Sequence, residues 1–139
     1  MLIMTIAYGC SKEHEAPTFS KYEGFMKKPQ NFIATFSKSK DEFNLKWDMS
    51  DTNSVKMYFV AWSDSNVFDL GKQADEFTNS TKTVYTLNAT RVLKTMGYTA
   101  PKDSFIVYLT VSAVYDTTGL FDEFIGPRSA VDSALVYRK

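Results

Sequence analysis

The stretch Ser104-Phe-Ile-Val-Tyr-Leu-Thr-Val-Ser-Ala-Val-Tyr115 decides the fold. It is rich in β-branched and aromatic residues and holds neither Gly nor Pro, so it reads as one long strand. Side chains alternate along a strand. That puts Phe105, Val107, Leu109, Val111 and Ala113 on one face and Ile106, Tyr108, Thr110, Ser112 and Val114 on the other. The first face is wholly apolar and the second is mixed. The pattern predicts a central strand of a sandwich, with one face on the core and one partly wet.

Upstream, Asn88 to Gly97 carries a candidate N-cap (Asn88 or Thr90), apolar Val92, Leu93 and Met96, and a closing Gly. It predicts about two helical turns. Val55–Trp62 is apolar on both faces and predicts a central strand. Phe43, Leu45 and Trp47 alternate with Asn44 and Lys46, and Phe32, Ala34 and Phe36 form a first strand. Val67–Leu70, ended by Gly71, reads as a short strand, and Lys82–Leu87 as another. Downstream, Asp116-Thr-Thr-Gly119 is a turn, Leu120–Arg128 a loop, and Leu135-Val-Tyr137 the centre of the last strand. The sum is an all-β, antiparallel sandwich of about seven strands with one short helix, in which the long strand is the penultimate one.

The 139 residues fit one domain, spanning 31–139, with a tether over 11–30. Sixteen basic residues balance sixteen acidic ones, which gives no electrostatic footprint for nucleic acid. One cysteine excludes an internal disulfide. One histidine, His14, leaves no zinc set and no Cys–His or Ser–His pair in the domain. No glycine-rich phosphate loop is present. The expectation is no catalytic residue, no metal and no cofactor.

Residues 1–10 are apolar, end at small Gly9 and meet Cys10, and the polar run Ser11-Lys-Glu-His-Glu15 follows at once. This resembles the end of a bacterial lipoprotein signal. The resemblance implies that Cys10 is acylated and anchors the chain to the outer membrane, since two or more acyl chains hold stably where one does not. An aliphatic residue is usual three positions before the cysteine, where Ala7 stands here, and no Lys or Arg precedes the apolar run.

The Leu45-x-Trp47 strand, the Tyr58-containing strand, Leu109-x-Val111-x-Ala113 and the closing Gly-Pro-x-Ser-Ala-Val resemble fibronectin type III and related Ig-like domains. The helix of Thr86–Gly97 followed by Phe105–Val114 narrows this. The pair is similar to the N-terminal Ig-like domain of SusE-type outer-membrane lipoproteins of Bacteroidota. That family implies a spacer domain, SusD-like and transporter partners, and starch-type glycans bound by further domains downstream. The sequence given stops at Lys139, so glycan binding does not carry over residue by residue.

Sugars dock on exposed aromatic faces flanked by planar polar groups. Strand order puts candidates at two ends of the sandwich. One end offers Tyr115, Phe121 and Phe124, with Asp51, Asn53, Asp116, Asp122 and Glu123. The other offers Trp62, Asp64 and Asn66 beside the helix, with Trp62 as the best stacking platform. The competing assignment for these rings is to cap the core, the usual fate of large aromatics. Asp116, Asp122 and Glu123 lack calcium-loop spacing and read as a solvated acidic loop. An exposed sheet edge or the 116–127 loop binding a protein partner is the remaining alternative.

Overall fold

The computed structural model describes residues 26–98, 104–115 and 124–136. In chain order these form β1 (Gln30–Ser37), β2 (Glu42–Asp48), β3 (Val55–Ser63), a 3-10 turn (Phe68–Leu70), β4 (Gln73–Phe77), β5 (Val84–Asn88), α1 (Ala89–Thr95), β6 (Phe105–Tyr115), β7 (Phe124–Arg128) and β8 (Asp132–Val136). One sheet runs β1-β2-β5; the other runs β4-β3-β6-β7, with β8 also on β6. Every pairing is antiparallel.

The sandwich expected from sequence is present, with eight strands in place of about seven. Three readings are corrected. Val67–Leu70 is a 3-10 turn with Phe68 buried, not a strand. The strand in that region is β4, whose Gln73-Ala-Asp-Glu-Phe77 is too polar to stand out because it forms a sheet edge. Part of the 120–128 segment is β7, so β6 is followed by two strands. Gly126 and Pro127 mask β7 in sequence, yet a proline is tolerated on an edge strand that need not donate there.

β6 organises its sheet. It pairs with β3 along Val55–Ser63 on one side. On the other side β8 pairs with Phe105–Leu109 and β7 with Ser112–Tyr115. Ser129 joins the two halves. Its N–H donates to Val111 O at 2.8 Å, and its buried Oγ accepts from Val111 N at 3.1 Å, where a strand carbonyl would otherwise be required. β8 also touches the β1-β2-β5 sheet, since Asp132 Oδ2 accepts from Ala34 N of β1 at 2.8 Å.

The core holds the alternating inward residues of both sheets. Phe32, Ala34, Phe43, Leu45, Trp47 and Leu87 come from the three-stranded sheet. Tyr58, Val60, Trp62, Val107, Leu109, Val111, Ala113 and Tyr115 come from the other. Val92, Leu93 and Met96 of α1 and its C-terminus plug one end. The apolar face read for β6 is therefore correct. Its mixed face is only partly wet: Ile106 is exposed, but Thr110, Ser112 and Val114 are buried.

Candidate functional site

The helix that carries one end of the sandwich is fixed at both termini. Asn88 Oδ1 accepts from Arg91 N at 2.8 Å, the N-cap read from sequence. Gly97 takes φ +92°, with Gly97 N donating to Lys94 O and Tyr98 N to Leu93 O, a Schellman stop. This places α1 over the end of β3. The Trp62 indole donates to Thr95 Oγ1 at 2.8 Å, and the side chain is 1% exposed. Asp64 accepts from the Tyr98 hydroxyl at 2.7 Å and from Lys72 N at 2.8 Å. The Asp64 hydrogen bond is the chief cause that holds the Tyr98 phenol above its usual pKa. Asn66 lies exposed in the crossover beyond them.

Sequence reasoning grouped Trp62, Asp64 and α1 correctly, but the platform role for Trp62 is corrected. The helix covers its ring, and its N–H is satisfied inside the protein. Asp64 acts as a turn anchor, with both carboxylate oxygens engaged.

At the opposite end Val55 pairs with Tyr115, which brings the 48–54 turn beside the end of β6 as expected. Tyr115 is fully buried. A Cβ on Gly126 would sit 2.9 Å from the Tyr115 ring, so β7 passes directly against it. The Tyr115 hydroxyl accepts from Lys27 N at 2.7 Å and donates to Lys27 O at 3.1 Å. Burial pushes this phenol up, and the Asp51 charge adds to that. Tyr115 thus offers no ring face; it clamps the chain where it enters the domain. Asp51 Oδ1 accepts from Asn53 N at 3.0 Å within the turn. Phe124 opens β7 opposite Tyr115. Cys10, Phe121, Asp116, Asp122 and Glu123 lie outside the described residues. Among the described residues no cluster of three acidic, His or Cys side chains is placed to hold a metal.

A third region went unread in sequence. A groove of about 770 Å³ crosses the outer face of the β1-β2-β5 sheet and passes over the β5 edge to the 78–82 loop. Register explains its lining. Ile33, Lys46 and Val84 form one cross-strand row, and Thr35, Asn44 and Thr86 the next. Thr78, Ser80 and Lys82 line its far side. Its sequence signal is the outward half of each alternation, Thr35, Asn44, Lys46, Val84 and Thr86.

Beneath the groove a polar clasp joins the two sheets. The Tyr85 hydroxyl donates to Glu76 Oε2, and Arg91 grips the same carboxylate at 2.9 and 3.2 Å. Burial, then the Glu76 hydrogen bond and charge, push the Tyr85 phenol up to about 12.

No protein-family model and no curated protein matches the sequence. Solved structures do. One is an Fn3-like protein from Clostridium thermocellum, 22% identical over 80% of this chain and 91% of that one, with a TM-score of 0.50. Another holds the FN1-FN3 domains of chicken CNTN1, 13% identical over 81% of this chain and 32% of that one, with a TM-score of 0.52. At such identities the likeness speaks to architecture alone, and the chain has a fibronectin III-like fold.

Proposed function

We propose that the chain is a non-enzymatic module of the bacterial cell envelope, lipid-anchored to the outer membrane through Cys10. In this reading it is a spacer or accessory domain of a SusE-like system for starch-type glycans, beside SusD-like and transporter partners. The observation that carries the spacer role is the burial of Trp62 and Tyr115. These rings, two of the candidates for sugar stacking, are given over to packing, with their polar atoms bonded to Thr95 and Lys27. The fibronectin III-like fold and the lipobox-like run ending at Cys10 agree with a tethered spacer.

Cys10→Ala tests the anchor. The parent is expected in the membrane fraction and the variant in the soluble one; equal fractionation sinks the lipid anchor. Affinity electrophoresis in starch tests the spacer role. Unretarded migration is expected, and retardation that Trp62→Ala leaves unchanged would place a sugar site elsewhere on this domain.

A further inference from the structure

Among the described residues the β5 edge is open. Trp47 N donates to Thr83 O, which makes residues 83, 85 and 87 the hydrogen-bonded partners of β2 in the antiparallel register. The backbone N–H and C=O of Val84 and Thr86 therefore point away from β2. No hydrogen bond from a described residue reaches them. By contrast, β1 at the opposite edge is engaged by Asp132. Val84 itself is 55% exposed, and Ile33 across the same row is 44% exposed. An unprotected edge with apolar side chains is a template for one more strand.

The groove beside this edge has a definite charge. Lys46 and Lys82 line it, no carboxylate does, and neither ammonium has an ion-pair partner among the described residues. The nearest acid along the outer face of β2, Asp48, accepts from the Asn31 amide at 2.9 Å. Thr35, Asn44, Ser80 and Thr86 add donors and acceptors around the two cations.

We propose that the β5 edge and its groove dock an extended acidic peptide segment of a partner protein. The segment adds as a strand to Val84–Asn88. Main-chain bonds to Val84 and Thr86 supply registry, and alternate side chains supply specificity. On the outer face its acidic side chains lie beside Val84 and Thr86 and reach towards Lys46 and Lys82, while the alternate apolar ones turn to the opposite face beside Tyr85. The site is independent of whether Cys10 carries an anchor.

The test uses the whole chain and a fluorescein-labelled peptide of alternating valine and glutamate, with valine–lysine as control. Saturable binding of the acidic peptide alone is expected. Amide exchange at Val84 and Thr86 should slow in the complex. Lys46→Glu combined with Lys82→Glu should weaken binding about tenfold or more, as reversal of facing charges does. The proposal is overturned by absent binding, by equal binding of the lysine peptide, or by protection confined to other strands. Polygalacturonate binding in place of the peptide, without protection of those amides, also overturns it. The exchange measurement is made on the unaltered chain, so it decides the matter even if the double variant does not fold.

Discussion

The two sheets turn very different outer faces to their surroundings. On the β4-β3-β6-β7 sheet the crossover after β3 folds back as a roof. Phe68 is buried there, the Arg128 guanidinium lies 4.9 Å above its ring, and Arg128 also pairs with Asp69 at 3.2 Å. Ser63 Oγ donates to Phe68 O at 3.0 Å and ties the roof to β3. Ala61, Ser63, Thr110, Ser112 and Val114 are all buried on this side. On the β1-β2-β5 sheet no such segment crosses among the described residues, and Ile33, Lys46 and Val84 stay at the surface. Both faces mix apolar and hydroxyl side chains. One difference between them is the nine-residue crossover, 64–72, which packs back on β3 through Phe68 and Ser63. A mixed face is thus available either for intramolecular cover or for a partner.

Removing the roof should have the largest effect. Phe68→Ala is expected to cost about 3 kcal/mol in a urea titration, the usual loss for a buried phenylalanine. A change below about 1 kcal/mol would show that the roof does not stabilise the sheet. Next comes the turn that folds it back. A Cβ at Gly71 would lie 2.6 Å from Ser63 Oγ and closer still to Asp64 Oδ1. Gly71→Ala is expected to lower stability by about 1–3 kcal/mol through overpacking, and an unchanged melting temperature would contradict this.

The third expectation concerns the bare side, whose clasp is polar. A tyrosine ionises at 10.0 when unperturbed, and Tyr85 is held at about 12. The folded state therefore favours the neutral phenol. The stability this contributes is complete below pH 10 and is lost as pH rises through 12. Urea midpoints should fall across that window, and Tyr85→Phe should fall less steeply. Equal slopes would show that Tyr85 does not report on the clasp. Tyr58, Tyr98 and Tyr115 shift in the same direction and add to the slope. The smallest effect belongs to the open face itself. Val84→Thr should change stability by no more than about 0.5 kcal/mol, because the side chain is more than half exposed.

Most of the core was legible because it obeys local periodicity. Phe43, Leu45 and Trp47 alternate with solvent-facing partners, and all three are buried. Asn88 and Gly97 announce the ends of α1 by capping chemistry. The misses arise where a residue's fate depends on distant chain. Thr110 and Ser112 look wet in sequence, yet both are buried in the folded sheet. Trp62 looked like a platform because its cover, α1, comes from residues 89–95. The open β5 edge follows from the order in which strands associate, which no single segment encodes.

Trp47 and Tyr58 record one further departure from local logic. Their rings meet edge-on at 5.0 Å, yet the indole Nε1 and the phenol oxygen are both buried without a partner among the described residues. Burial holds the Tyr58 phenol above its usual pKa, and the nearby indole pulls the other way without reaching hydrogen-bond geometry.

The Tyr115–Lys27 contact has a mechanical meaning. Lys27 precedes β1 and is bonded through both its N–H and its C=O to the end of β6. Tension applied from the N-terminal side meets this pair before it reaches Gln30. The load therefore enters at the strand with neighbours along both sides, and β1, a sheet edge that would otherwise unzip one hydrogen bond at a time, is shielded behind it.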